Sequence, residues 1–182
     1  MKFLLDNSPK IVCEKSSHEL VAGQLITPLT RYSNWGGMFA IDNGAFSGFD
    51  ERGFASLLSR EKCNIEKCEF VVVPDIVGSA RRTLELFRHR DKWIDGCFWP
   101  LAFVAQDGAE TLDVPWNEFA WLFIGGKDPW KDSQAATDLV KTAKILGKQV
   151  HVGRVNTAQR FNKFDELGCD TCDGSGLSLI HI

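Results

Sequence analysis

The 182-residue chain lacks any apolar run near the ~20 residues that a membrane-spanning helix needs, and residues 1–20 carry no secretory pattern. It also lacks a large charge of either sign: 21 Lys and Arg face 24 Asp and Glu, for a net charge of −3. That balance excludes a highly basic nucleic-acid coat and a strongly charged disordered tail. Internal repeats and low-complexity linkers are absent, and with them collagen-like and coiled-coil rods. Zinc-finger spacing is missing as well. Cys169 and Cys172 form a C-x-x-C without a second close Cys/His pair, and Cys63 and Cys68 are spaced too widely to supply one. The six cysteines are therefore expected as reduced thiols, most of them in the core, in a single cytoplasmic domain.

What is present is an alternation of short apolar runs with amphipathic stretches. Candidate strands are Lys2–Leu5, Met38–Ile41, Phe70–Val73, Leu101–Ala105, Trp121–Ile124, Gln149–Val152 and Cys169–Cys172. Near-continuous apolar runs of this kind suit parallel strands buried on both faces. Helical spacing recurs between them. Ala136, Leu139, Val140, Ala143 and Leu146 lie on one face ahead of Gly147, and Thr157 caps a stretch bearing Ala158, Phe161 and Phe164 that Gly168 closes. Ser79 and Asp50 open two more.

Strands every ~20–30 residues are the spacing of βα units, and seven in a row favour a (β/α)8 TIM-like barrel over an open sheet. A full barrel wants eight strands and ~250 residues, so the expectation is an α/β barrel incomplete at its last unit, with its C-terminus truncated and two sheet edges exposed. Leu177-Ser178-Leu179-Ile180-His181-Ile182 is what CTG TCT CTT ATA CAC ATC encodes, the end of a widely used transposon-derived sequencing adapter. Residues 1–176 are accordingly read as the barrel and 177–182 as a non-native tail.

In parallel barrels functional groups gather just past the C-terminal ends of the strands. Here those positions hold Asp42-Asn43-Gly44, Pro74-Asp75, Gln106-Asp107-Gly108, Gly125-Gly126, Gly153-Arg154 and Asp173-Gly174. Each aspartate alone reads as a turn or a helix cap; their repetition on one rim points further. Ionised aspartates accept hydrogen bonds and suit the donor edge of a guanine-type base, while a glutamine amide and a glycine N–H can donate to its O6. A remaining carboxylate can attack a sugar carbon while another handles the proton.

These segments, in this order from Phe39 to Gly176, resemble the tRNA-guanine transglycosylase superfamily, and more closely its phage and bacterial branch that places 7-deazaguanine bases in DNA. Phe39-Ala40-Ile41-Asp42-Asn43-Gly44-Ala45-Phe46 is similar to the family's D-S-G-G-F segment, which implies Asp42 as general acid/base. Val73-Pro74-Asp75 resembles the second-aspartate segment and implies that Asp75 reads the base's donor edge. Val104-Ala105-Gln106-Asp107-Gly108 resembles V-Q-G-G, with Gln106 on O6 and Asp107 at a family glycine position. Phe123-Ile124-Gly125-Gly126 resembles the glycine segment whose backbone faces O6, and Gly168-Cys169-Asp170-Thr171-Cys172-Asp173 resembles G-x-D-x-x-D, implying Asp173 as nucleophile.

The resemblance implies a guanine transglycosylase that exchanges guanine in DNA for a free 7-deazaguanine base through a covalent aspartyl-glycosyl intermediate. It implies no redox or nucleotide cofactor. The family's zinc subdomain with its C-x-C-x-x-C ligands is absent, so either this branch lacks it or zinc belongs to a missing C-terminal part. The expected partners are DNA, the base and proteins of a modification system, in the cytoplasm; the branch resemblance admits a phage-encoded origin. tRNA is the alternative substrate. A catalytically silent base-binding module and a glycosidase acting on free nucleosides are the alternative functions.

Other features keep two readings. Arg154 contacts a phosphate or ion-pairs with a rim aspartate; His151 reads as a satisfied core histidine, and Trp116 as packing. Arg81, Arg82, Arg88, His89, Arg90 and Lys92, with Lys127 and Lys131, form either a phosphate-contacting surface or a solvated face. Phe46, Phe49, Trp35 and Trp130 are core residues or stacking partners for a flipped base.

Overall fold

The computed structural model describes residues 1–30, 33–94 and 99–174. Cys97, Gly176 and the tail at 177–182 lie outside them. The described chain is a closed, all-parallel barrel of eight strands in sequence order: β1 (Lys2–Leu5), β2 (Val21–Ile26), β3 (Phe39–Ile41), β4 (Cys68–Val72), β5 (Leu101–Ala105), β6 (Trp121–Ile124), β7 (Gln149–Val152) and β8 (Thr171–Cys172). The helices are α1 (Pro9–Lys15), α2 (Glu51–Glu61), α3 (Ala80–Arg88), α4 (Asp128–Lys131), α5 (Gln134–Ile145) and α6 (Ala158–Glu166). None of them is long and apolar enough to cross a membrane.

The expectation of an incomplete barrel is corrected here. The strand absent from the sequence reading is internal, not terminal: it is β2. Thr171 and Cys172 of β8 pair on one side with His151 and Val152 of β7 and on the other with Lys2 and Phe3 of β1, which closes the ring and leaves no sheet edge. β2 is hard to read because Gly23 and Gln24 interrupt its apolar run. Both have structural reasons. Gln24 is fully buried, donates to the Asn7 carbonyl at 2.9 Å and accepts from Trp35 N–H at 3.0 Å. Gly23 lies so close to β3's approach that an added Cβ would meet the Met38 carbonyl oxygen at 2.1 Å. Gly23→Ala is therefore expected to destabilise the fold by about 3 kcal/mol or more, since backbone cannot yield as a side-chain tip does. Urea unfolding of the variant checks it.

Strand alternation divides the core. Leu4, Leu25, Ala40, Phe70, Val72, Ala102, Val104, Trp121 and Phe123 fill the barrel interior. Their sequence neighbours, such as Phe3, Phe39, Val71, Phe103 and Leu122, face outward under the helices. The capping signals act as the sequence suggests: Asp50 accepts from Gly53 N–H, Ser133 from Ala136 N–H and Thr157 from Arg160 N–H. Ser79 stands at the N-cap of α3 without a side-chain capping bond. Five free cysteines are described; Cys68, Cys169 and Cys172 are buried, and Cys13 and Cys63 are exposed.

Candidate active site

The C-terminal ends of the strands surround a pocket of about 550 Å³. Its lining includes all seven candidates, Asp42, Asp75, Gln106, Gly125, Gly126, Arg154 and Asp173, over an apolar floor of Leu4, Leu25, Val72, Val104 and Phe123. Parallel register does this: residues one to three places past each strand end come level around one rim.

One wall is an amide-braced carboxylate. Asn43 Nδ2 donates to Asp75 Oδ1 at 2.8 Å and to the Val73 carbonyl at 3.0 Å. Gln106 Nε2 donates to Asp75 Oδ2 at 2.6 Å, while its Oε1 accepts from Gly78 N–H at 2.8 Å. Each carboxylate oxygen keeps a further lone pair for a ligand, and Gln106 keeps its second N–H. Burial raises the Asp75 carboxyl above its usual range, although both amides oppose the rise.

Gly125 and Gly126 direct their N–H groups at the Ala105 carbonyl, at 3.0 and 3.2 Å. What Gly125 contributes to the pocket is room: a Cβ there would meet Val104 Cγ1 at 2.5 Å and Gln106 Nε2 at 2.8 Å. Asp107 accepts from Lys127 N–H at 2.7 Å and so tethers the loop after β6.

Opposite lies Asp173. Its Oδ1 accepts from Arg154 N–H at 2.8 Å and its Oδ2 pairs with His151 Nε2 at 3.0 Å. Burial works against its charge, but the His151 hydrogen bond and charge, the Arg154 N–H and the Lys131 ammonium outweigh it and hold the carboxyl below its ordinary value. Arg154 adopts φ +56°, which aims its N–H into the site. Its guanidinium pairs with Asp128 at 3.2 Å and lies 4.5 Å over the Phe46 ring.

Asp42 has the contrary environment. Burial pushes its carboxyl up to about 7; the Gly44 N–H, 2.7 Å from Oδ1, opposes this, and the carboxylates of Asp173, Asp75 and Asp6 reinforce it. Two acids in one pocket are thus driven apart in acidity.

Three members of this site lie outside what the sequence marks as pocket groups. Asp6, one residue past β1, lines the pocket, and the strand-end rule that marks the other aspartates also reaches it. His151 is buried as expected of a core histidine, yet it also touches Asp173. Lys131 is corrected outright. Set by the sequence on a phosphate-contacting surface or a solvated face, it is fully buried and donates to the Gly153 carbonyl. Burial lowers its ammonium to about 8, with Arg154 and Arg160 adding to the fall and Asp173 and Asp128 resisting it. The folded state releases this proton near pH 8, whereas the unfolded chain holds it to about 10.5. Stability therefore rises across that window. Between pH 7 and pH 10.5 the wild type is expected to gain roughly 2–4 kcal/mol relative to Lys131→Met in urea unfolding.

Of the aromatic candidates, Phe46 stands at the pocket rim, 68% exposed. Phe49 packs on Phe54 and Trp93, Trp35 donates to the Met38 carbonyl, and Trp130 donates to Glu110. Trp116 packs against Phe119. Of the basic candidates, Lys127 lines the pocket, while Arg90 pairs with Glu118.

Neither the family models nor the curated proteins searched yield a match to this chain.

Proposed function

We propose that the chain is a guanine transglycosylase that exchanges guanine in DNA for a 7-deazaguanine base. The observation that carries this reading is the divergence of Asp173 and Asp42. One carboxyl is held ionised and the other is protonated up to about neutral pH, in the same pocket. Such a pair suits retaining chemistry at a glycosidic carbon, with an anionic nucleophile and a neutral acid.

In the first half-reaction an Asp173 oxygen bonds to C1′ of the deoxyribose as the C1′–N9 bond breaks. The departing electron pair at N9 takes the Asp42 proton and free guanine leaves. In the second, N9–H of the incoming base returns a proton to Asp42 while N9 bonds to C1′, and Asp173 departs as carboxylate. The Asp75 carboxylate supports recognition of the base's donor edge, and the second Gln106 N–H is available to its O6. The apolar floor suits the face of a planar base. Zinc and other cofactors take no part in this scheme, and a second class of polymer, tRNA, would enter the same pocket by the same chemistry.

The test is incorporation of labelled guanine into guanine-containing DNA, with tRNA and free deoxyguanosine in parallel and Asp173→Asn as control. Label in DNA that depends on Asp173 is the expected result. Label in tRNA alone moves the substrate. Base released from deoxyguanosine without exchange makes the protein a nucleosidase. No label in any arm from folded protein leaves a silent binding module.

A further inference from the structure

A histidine interrupts the apolar interior of the barrel. His151 projects inward from β7, is fully buried, and packs against the rings of both Phe70 and Phe123 at centroid distances of 5.1 and 4.6 Å. The β7–β8 register sets Thr171 directly beside it. Thr171 Oγ1 is 2.9 Å from His151 Nδ1, and His151 Nε2 is 3.0 Å from Asp173 Oδ2. A buried histidine needs partners for both ring nitrogens, but either could have been a backbone carbonyl; here one is the candidate nucleophile. We propose that His151, seated by Thr171, is a positioning residue that clamps the Asp173 carboxylate in one orientation for attack and release. The proposal rests on the exchange reading for the word attack, though the clamp itself does not.

The direction of each bond follows from chemistry. An ionised carboxylate only accepts, so Nε2 carries the hydrogen toward Asp173. In a neutral ring Nδ1 is then an acceptor and the Thr171 hydroxyl donates to it; in a protonated ring Nδ1 donates to the Thr171 hydroxyl oxygen, and the Nε2 bond to Asp173 keeps its direction. Phe70 and Phe123 pack against the ring in tilted contacts. With the Arg154 N–H on Oδ1, both carboxylate oxygens are tied and the side chain has one rotamer. The donors matter most when Asp173 leaves C1′, because the negative charge then returns to these two oxygens. Among the described residues, the charged side chains that act on Asp173 are Lys131 from α4, Asp6 beyond β1 and Asp42 beyond β3, with His151 itself; His151 and the Arg154 backbone hydrogen-bond to its carboxylate.

The experiment uses His151→Phe, which keeps the ring and loses the donor, and His151→Gln, whose amide can reach toward the same oxygen. Thr171→Val removes the seating hydroxyl without changing shape, should the histidine variants fail to fold. Two quantities are read: kcat/KM for labelled-guanine incorporation against pH, and the Asp173 carboxyl titration followed by carbon-13 NMR. His151→Phe is expected to lower kcat/KM by about 10- to 100-fold, the worth of a charge-assisted hydrogen bond. Its acid limb and the Asp173 titration should both move to higher pH. His151→Gln should recover most of the loss, and Thr171→Val should show a smaller shift of the same sign. A simple packing role would leave the titration in place. Folded His151→Phe or Thr171→Val protein with an unmoved Asp173 titration and wild-type pH profile overturns the clamp. A wild type that exchanges nothing while its Asp173 titration still moves with His151 overturns the exchange reading and leaves the clamp standing.

Discussion

Asp173→Asn is expected to lower guanine exchange by about 10⁴-fold or more, as loss of a covalent nucleophile does. An amide oxygen is a poor nucleophile toward C1′, and neither neighbouring candidate carboxyl is held charged in the same way. Asp42 stays protonated to about pH 7 and Asp75 is raised by burial. The variant should nevertheless fold. The substituted amide can keep its oxygen toward the Arg154 N–H and turn its NH2 toward His151, which accepts by changing tautomer and donating instead to Thr171. The retained structure makes the loss chemical. The measurement is labelled-guanine incorporation together with a denaturing gel for the protein–DNA adduct. An adduct that forms in the wild type and is missing from Asp173→Asn is expected; exchange within tenfold of wild type would remove Asp173 as the nucleophile.

Asp42→Asn should cost about 10² to 10⁴ in kcat/KM, the range of a positioned general acid. The wild-type rate is expected to fall as pH rises through about 7, where Asp42 loses the proton that guanine needs. The variant should lack that limb. The same substitution should stabilise the protein at alkaline pH. The folded carboxyl holds its proton up to about 7 and the unfolded one only to about 3.8, so wild-type stability declines across that interval as the pocket is forced to accept a charge. An asparagine has nothing to ionise. Urea unfolding at pH 4 and pH 8 should show the wild type losing at most a few kcal/mol that Asp42→Asn does not lose. A variant less active yet more stable is the expected signature of a group strained for function. Equal pH dependence of stability in both proteins would mean that Asp42 ionises normally.

How far the site can be read from the sequence differs residue by residue. Asp42, Asp75, Gln106, Gly125, Gly126 and Asp173 follow apolar strands closely, and parallel strands of one barrel deliver their ends to one rim. Asp6 obeys the same rule, yet Lys2–Leu5 carries no glycine turn behind it to mark the position. Lys131 looks solvated in the sequence because it stands in a short polar helix; the fold buries it and gives its ammonium the distant Gly153 carbonyl. Arg154 stays open between a phosphate and a rim aspartate until the fold is known. The structure pairs its guanidinium with Asp128 and gives its backbone N–H to Asp173, with the residue held at positive φ.

The sequence by itself determined the parallel α/β architecture, the helix caps at Asp50 and Thr157 and the ring of polar strand ends. All of these arise from local periodicity and from groups that must meet their hydrogen-bonding needs within a few residues. The tertiary structure alone decided closure, because β2 joins the ring through backbone ladders to β1 and β3 while Gly23 and Gln24 break the apolar run that would have marked it. It also decided the acidities. Whether Asp42 or Asp173 carries the charge depends on which distant groups, His151, Lys131 or other carboxylates, folding brings against it.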